Sequence, residues 1–365
     1  MVKLAANRTD EFYMRCALEL AANGRECSPN PRVGCVIARG GGIIGRGWHK
    51  KCGGPHAEVE ALRDAGGDIE GADVYVTLEP CSHYGRTPPC ADMLAERRPK
   101  RVIAALTDPN PKVAGRGLKK LRNAGIEVET GVLEEECRWM NRGFLRRMAL
   151  GRPWVTLKVA ASLDGMVALP NGESRWITGA EARKRTHGMR AENDALLTGV
   201  GTVVADDPRM TVRDAPGRSP VRALLDRTLR TPPTAKILDG GAVIFTLADA
   251  SQERGEALES AGASIVRVAS GEDFLPEVLK ELCGRGVNYL MVEAGPAVAS
   301  SFIKEKLCDE LALFIAPKII GNGKSFAGLA EFAKIEDAPR VKDVKYTKCG
   351  DDLLIRGVFE CSPDL

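Results

Sequence analysis

The chain has 365 residues and a formal net charge of +3, which is long enough for two domains with separate cores and too nearly balanced for a surface that coats nucleic acid. Hydrophobic residues at 44% and charged residues at 28% exclude a disordered or fibrous chain. No apolar run approaches the roughly 18 residues needed to cross a bilayer, and Met1 to Asp10 lacks a signal peptide's apolar stretch, so a cytoplasmic location is expected.

The elements follow in order. Apolar spacing at Tyr13, Ala17, Leu20 and Ala21 predicts a helix over 10–23, with Thr9 or Asp10 as its cap. Two strands are expected at 33–38 and 43–49, a helix at 56–65, a strand at 73–78 and a helix at 89–98. A strand at 101–106, a helix at 115–124 and a strand at 126–132 complete an α/β sandwich on a mostly parallel sheet. The charged stretch from Glu134 to Leu150 reads as helical, and Gly151-Arg152-Pro153 then marks a boundary, giving domains 1–150 and 151–365. The second block carries strands near 154–160, 195–199, 221–226, 242–247, 264–268, 288–293 and 310–316. Helices are expected near 180–192, 274–284 and 297–307, and a strand pair over 344–360.

Of the 11 cysteines, Cys16, Cys35, Cys137, Cys283 and Cys308 sit in apolar or helical patterns and read as packing. Cys81 and Cys90 do not. His56-Ala57-Glu58 opens a helix, Pro80-Cys81 follows a strand, and Cys90 opens the next helix after Pro88-Pro89. One imidazole and two thiolates make three ligands for a tetrahedral zinc with one position open, the pattern of a catalytic site. Helix N-termini favour the thiolate form of both cysteines. Glu58 is then the acid–base group: it takes a proton from the attacking water and returns it to the departing ammonia. Zinc nucleobase deaminases follow H-x-E and then P-C-x-x-C, with the glutamate not a ligand. Here eight residues separate the two cysteines. His49 closes a strand and reads as packed or on the surface, whereas His83, in the loop between the cysteines, reads as a substrate contact.

The segments PNPRVGCVI (29–37), HAEVEAL (56–62), TLEPCSHYGRTPPC (77–90) and DPNPKVAGRG (108–117) resemble the deaminase of riboflavin biosynthesis, whose form the longer cysteine loop follows. Downstream, KVAASLDGMVA (158–168), GESRWIT (172–178), LLTGVGTVVADDPRMTVR (196–213) and VEAGPAVASSF (292–302) are similar to the reductase domain of the same family. The likeness covers nearly the whole chain. Met210 stands where leucine is usual, and Cys27-Ser28 replaces a polar run. The resemblance implies a cytidine-deaminase-like α/β/α sandwich followed by a dihydrofolate-reductase-like α/β domain. It also implies hydrolytic deamination of 2,5-diamino-6-(5-phosphoribosylamino)pyrimidin-4-one to 5-amino-6-(5-phosphoribosylamino)uracil, then NADPH-dependent reduction of the ribosyl group to ribityl. Zinc and NADPH are the implied cofactors, the partner is a small pyrimidine ribosylamine phosphate with no nucleic acid or membrane, and a homo-oligomer is expected. Asn30 takes the place of a substrate-binding asparagine, although between two prolines it also reads as a plain turn residue.

In the second half, Gly199-Val200-Gly201 begins like a dinucleotide fingerprint but has Val204 where the third glycine belongs, and Gly323-Lys324-Ser325 has Lys318 at the required upstream glycine. Both read as turns. Glu293-Ala294-Gly295-Pro296, between an apolar strand and an amphipathic helix, is the better phosphate site, because backbone N–H groups can approach a phosphate there. By resemblance, the cofactor meets Ala160, Trp176, Thr202, Asp206 and the run Gly295, Pro296, Ala297, Val298, Ala299, Ser300 and Ser301. Substrate meets Ser174, Arg190, Met210, Arg213 and Glu293. Read from the residues alone, Trp176 passes for a core aromatic, Arg190 for a solvated helix charge and Asp206-Asp207-Pro208 for a turn. Lys158 and Asp164 are candidates without an assigned role. Two rival readings are a nucleoside or tRNA deaminase with an unrelated C-terminal domain, and a non-catalytic zinc module. Aromatics at 5% and the presence of Glu58 speak against them.

Overall fold

The structure is a computed structural model that describes residues 2–84, 88–109, 114–269, 273–329 and 332–363, with side chains from Asp10 onward. Gly85 and Thr87 of the cysteine loop and residues 110–113 of the DPNPKVAGRG segment lie outside the described residues, as does the side chain of Thr9. The chain divides into two compact units, Met1–Gly151 and Arg152–Asp364.

The first unit runs α1 (Val2–Ala21), β1 (Gly34–Arg39), β2 (Gly42–Trp48), α2 (Ala57–Asp64), β3 (Asp73–Val76), α3 (Cys90–Arg97), β4 (Arg101–Ala104), α4 (Arg116–Asn123), β5 (Glu127–Thr130), α5 (Glu134–Met140) and α6 (Arg142–Leu150). Its sheet has the order β2-β1-β3-β4-β5. Alternate strand residues face opposite ways and build two cores. Cys35, Ile37, Val74, Val76, Val102 and Ala104 pack against α2, α3 and α4. Val36, Ala38, Tyr75 and Ile103 pack against α1, α5 and α6. The mostly parallel sheet expected from the alternation is corrected: β2, β1 and β3 pair antiparallel, and only β3, β4 and β5 run parallel. The Gly40-Gly41 turn joins β1 to β2 as a hairpin, and no crossover helix intervenes to make them parallel.

Three further expectations are revised. α1 begins at Val2, so Asp10 lies within the helix and caps nothing; it is buried and accepts a 2.6 Å bond from the Tyr75 hydroxyl and a 3.0 Å bond from Arg101. The helical stretch 134–150 is two helices, broken at Asn141. The Asn141 amide instead clamps the backbone of Arg32, accepting from its N–H at 2.8 Å and donating to its carbonyl at 2.9 Å. Among the expected packing cysteines, Cys35, Cys137 and Cys308 are buried, whereas Cys16 and Cys283 are only partly so.

The second unit contains β6 (Trp154–Ser162), β7 (Met166–Ala168), α7 (Ala180–Glu192), β8 (Ala195–Gly199), α8 (Val200–Asp206), β9 (Val221–Leu225), β10 (Ala242–Leu247), α9 (Gln252–Ser260), β11 (Ala263–Val268), α10 (Phe274–Gly284), β12 (Tyr289–Val292), α11 (Pro296–Lys304), β13 (Glu310–Ala316), β14 (Lys324–Ser325), β15 (Val341–Cys349) and β16 (Asp352–Phe359). Nine strands form one sheet, β11-β10-β9-β8-β12-β6-β13-β16-β15, parallel from β11 to β13 and antiparallel over the tail hairpin. α10 and α11 cover one face, and α7, α8 and α9 the other. α8 and α9 have no counterpart among the predicted helices. α8 is seven residues long, and α9 shows a mean pattern too polar for an apolar stripe, its start fixed instead by the Ser251 hydroxyl accepting from the Arg254 N–H.

Glu79, 4% exposed and directly before Pro80-Cys81, takes four backbone N–H groups. Asp108 and Gly115 donate to one oxygen at 3.1 and 2.8 Å, and Gly117 and Leu118 to the other at 2.9 and 3.3 Å. Glu79→Ala strands these donors around a cavity. Bonds to charged groups are worth roughly 1.5–3 kcal/mol each, so a loss of at least about 3 kcal/mol is expected. Urea unfolding followed by circular dichroism measures it, and an unchanged midpoint would remove Glu79 from the account of this fold.

Candidate active sites

Two alternate glycines of β2 let α2 lie directly on the strand. A Cβ at Gly47 would sit 2.3 Å from the Ala57 carbonyl oxygen, and one at Gly45 2.3 Å from that of Ala61. This contact sets the start of α2, where His56 is the cap residue and Glu58 stands in the first turn. On the same sheet face α3 begins at Cys90. Cys81 lies in the loop after β3 and docks onto that helix start: its sulfur accepts the Cys90 N–H at 3.3 Å and its carbonyl the Ala91 N–H at 3.1 Å.

The three side chains converge. The His56 Nδ1 atom lies 3.5 Å from Cys81 Sγ and 3.3 Å from Cys90 Sγ. All three ligand atoms lie within 4.8 Å of one another. A tetrahedral zinc with bonds of about 2.0–2.1 Å to nitrogen and 2.3 Å to sulfur requires an N···S edge of about 3.5 Å, so the donor set and its spacing fit that ion. The Cys81 thiol is pulled down to about 4 by the Cys90 thiol bonding to it and by His56, while Cys90 is pushed up; the pair shares a proton that a metal would displace. Glu58 is 4% exposed, and burial, with charge on Cys81 adding to it, pushes its carboxyl up to about 7.

Asn30 stands beside this cluster through His49. His49 Nδ1 lies 2.9 Å from the Pro55 carbonyl, which makes it the protonated nitrogen, and Nε2 then accepts from Asn30 Nδ2 at 3.1 Å. The His49 and His56 rings meet edge to face at 5.4 Å. His49 is therefore buried, as one of the two sequence readings had it, and it also orients Asn30, which no local pattern announces. His83 is exposed.

In the second unit the C-terminal ends of β6, β12, β8 and β9 open into a cleft of about 1930 Å³. Ala160, Ser174, Trp176, Thr202, Asp206, Met210, Arg213 and Gly295 to Val298 line it, with Ser301, Arg190 and Glu293. Ala299 and Ser300 do not: Ala299 belongs to the core, and the Ser300 hydroxyl donates to the Pro296 carbonyl at 2.6 Å. Helical periodicity turns those two positions inward. The first bond of α11 runs from Ala299 to Gly295, so the N–H groups of Ala297 and Val298 remain at its open end. A Cβ at Gly199 would lie 2.8 Å from Val298 Cγ2, so the glycine there serves close packing of β8 on α11.

Charge is concentrated at Glu293. Arg190 grips it with two bonds, 2.7 and 2.9 Å, and gives a third, 2.9 Å, to the Thr211 carbonyl. Lys158 approaches the same carboxylate at 4.0 Å. Burial alone would raise the Glu293 carboxyl, but Arg190 and Lys158 outweigh it and hold it below the usual carboxylate range. Burial lowers the Lys158 ammonium, with Glu293 opposing. Arg190 is thus not a solvated charge. Trp176 is not a core aromatic either: it is 63% exposed, with the Arg183 guanidinium 4.5 Å above its ring. Asp164 is a staple outside the cleft, accepting from the Ser162 hydroxyl and from the Ile320 and Gly321 N–H groups, which hold its carboxyl down to about 2. His187 escaped the sequence reading. It lines the cleft and accepts the Arg213 N–H at 3.2 Å.

Residues 153–355 match the family model described as the RibD C-terminal domain, and residues 7–106 match the cytidine and deoxycytidylate deaminase zinc-binding region. The riboflavin biosynthesis protein RibD of Aquifex aeolicus is 45% identical over 349 residues, covering 95% of this chain and 97% of that protein. The Escherichia coli protein of the same name is 41% identical, covering 95% and 98%. A solved structure of Acinetobacter baumannii RibD aligns with a TM-score of 0.89 at 40% identity, over 97% of this chain and 99% of that one. A Thermotoga maritima diaminohydroxyphosphoribosylaminopyrimidine deaminase/5-amino-6-(5-phosphoribosylamino)uracil reductase aligns at 0.84 with 35% identity, over 96% and 99%. With a cytidine-deaminase-like unit followed by a reductase domain, the chain belongs to the RibD family of riboflavin biosynthesis proteins.

Proposed function

We propose that residues 1–150 remove ammonia from 2,5-diamino-6-(5-phosphoribosylamino)pyrimidin-4-one, and that residues 151–365 reduce the ribosyl group of the resulting aminouracil to ribityl with NADPH. The observation that carries the first half is the triangle of His56, Cys81 and Cys90 with Glu58 buried against it. Zinc held by those three residues supplies the Lewis acidity that makes water a nucleophile near neutral pH. Glu58 takes the proton of the attacking water at its carboxylate and delivers it to the departing amine, so water is consumed and ammonia released. Asn30, held by His49, gives the pyrimidine a hydrogen-bonding partner, and exposed His83 is a further substrate contact.

In the second half, Ala297 and Val298 offer backbone N–H groups to the cofactor pyrophosphate, and Thr202 and Trp176 flank it. When bound, NADPH supplies the hydride for the ribosyl carbon. Lys158, an ammonium against Glu293 inside the cleft, holds a proton at the reacting end. Ser174, Met210, Arg190 and Glu293 border the substrate. Because both edges of the Arg190 fork are committed, exposed Arg213, which gives one bond of 3.1 Å to the Thr211 hydroxyl, is the arginine that meets the substrate phosphate. Among the described residues, no helix is long and apolar enough to cross a membrane.

The direct test of the whole reading is ammonia release from the diaminopyrimidine substrate followed by NADPH consumption. Elemental analysis should find about one zinc per chain, lost in Cys81→Ser and Cys90→Ser; full retention in both variants removes the assignment. Glu58→Gln should keep its zinc and lose deamination by about 10²–10⁴-fold, while reduction of already deaminated substrate stays near wild type. An equal loss of both activities would contradict two independent sites. Arg213→Lys replaces a planar fork with a point charge and should raise the reductase substrate KM about tenfold, with little change in the KM for NADPH. Steady-state kinetics with both substrates varied decides it, and an unchanged substrate KM returns Arg213 to an ordinary surface charge.

A further inference from the structure

We propose that His187 is a positioning residue of the reductase site: it fixes the backbone of Arg213 and so aims that guanidinium at the substrate phosphate. The inference rests on the reading of Arg213 as the phosphate contact.

Helix α7 carries His187 and Arg190 three residues apart, so the two side chains leave one face of the helix as neighbours. Both reach the segment 210–213, which belongs to no helix or strand. Arg190 donates to the Thr211 carbonyl at 2.9 Å. His187 accepts the Arg213 N–H on Nδ1 at 3.2 Å. One helix thus holds two backbone groups of the segment through two side chains. The segment is anchored on either side of Thr211 as well. Met210 is 3% exposed and packs in the core that contains Met189, Leu196 and Val203, and the Val212 N–H donates to the Ser219 hydroxyl at 3.0 Å.

The ring works through both of its nitrogens. Only a nitrogen without a proton accepts a hydrogen bond, so Nδ1 is bare and the proton sits on Nε2. Nε2 lies 3.3 Å from the Asp214 carboxylate. His187 therefore engages two successive residues, Arg213 through one nitrogen and Asp214 through the other. A neutral ring is what this arrangement needs, since a proton on Nδ1 would face the Arg213 N–H. Burial holds the imidazole below its ordinary value, with Arg190 and Arg213 adding to the effect and Asp214 and Glu293 opposing it. At 6% exposure, the ring is also shielded from water that would compete for the bond to Arg213.

Fixing the backbone matters because the Arg213 side chain is exposed and long. Such a chain loses much rotamer freedom when it grips a ligand, and a pinned backbone confines in advance where its guanidinium can reach. Phosphate recognition by a planar fork is directional, so a small swing of the backbone misaligns both of its parallel bonds. His187, Arg213 and Asp214 all line the cleft, which puts this device beside the substrate. A histidine that only filled space would be replaceable by any side chain of its size. His187 supplies an acceptor at one defined atom, and that makes its role separable by substitution.

The test compares reduction of the phosphorylated substrate with reduction of the same compound lacking its phosphate, in the wild type, His187→Asn, His187→Gln and Arg213→Lys. Asparagine places an oxygen near the Nδ1 position and can take the Arg213 N–H. Glutamine reaches the Nε2 position instead and leaves that N–H without its acceptor. The KM for the phosphorylated substrate should rise about tenfold in His187→Gln, the scale of one bond to a charged group, and stay within about twofold of wild type in His187→Asn. The KM for the dephosphorylated substrate, the KM for NADPH and kcat should hold in both variants. An equal rise for both forms of the substrate, or in both His187 variants, overturns the proposal, because lost packing would then account for it. A His187→Gln chain that no longer binds NADPH overturns it too, since His187 would be holding the fold. If Arg213→Lys raises the KM for the phosphorylated substrate while His187→Gln does not, the proposal fails and the reading of Arg213 stands. If Arg213→Lys leaves that KM unchanged, the reading of Arg213 fails and takes the proposal with it.

Discussion

The Glu79 carboxylate ties together everything that surrounds the metal-ligand cluster. It is buried, and its two oxygens take the N–H groups that open α4 and one from Asp108 after β4. A charge so placed is costly to bury without partners, and four donors offset that cost. The next residues are Pro80 and Cys81. Fixing Glu79 therefore fixes where the chain leaves β3, and that places the Cys81 sulfur against the first N–H of α3. His56 and Glu58 arrive from the other side on α2, whose approach depends on the two glycines of β2. A site of three ligands needs positions good to a few tenths of an ångström, and here each ligand is held by backbone contacts instead of by its own side-chain torsions alone.

The reductase unit solves a related problem differently. Glu293 is also a buried carboxylate at a strand end, but its partners are the side chains of Arg190 and Lys158. Backbone donors hold Glu79 in a fixed structural role. Side-chain donors leave Glu293 in a cleft where a bound substrate can share the same charges. That difference separates a scaffold carboxylate from one at a site, although both are nearly inaccessible to solvent. Cys81 and Glu293 each lie just after a strand that pairs in parallel, the edge at which α/β sheets leave backbone groups unpaired by the sheet.

Much of this was legible along the chain. Apolar runs such as VGCVIA (33–38) announced strands buried on both faces, and the nine-stranded sheet was read nearly complete because its central strands are continuous apolar segments. The cluster His56, Cys81 and Cys90 was legible because metal chemistry restricts residue types so severely. Helices α8 and α9 were not: α8 is short and α9 polar, and their packing comes from neighbours distant in sequence. Strands β1 and β2 were read, but not the antiparallel pairing of β1 with both β2 and β3.

Residue type, spacing and order by themselves determined that this protein has two α/β units, a three-ligand His/Cys/Cys cluster with an acid two residues from its histidine, and a helix opened by a Gly-Pro turn. Tertiary structure alone decided the partners. Arg190 looks like any helix charge until Glu293, more than a hundred residues away, meets both edges of its fork. Trp176 looks like core until the loop carries it into the open, and Ala299 and Ser300 look like cofactor contacts until the helix turns them inward. The physical reason is common to all four. A local pattern records what a side chain is able to do, whereas its charge state, exposure and bonding are set by groups that only the folded sheet brings within a few ångströms.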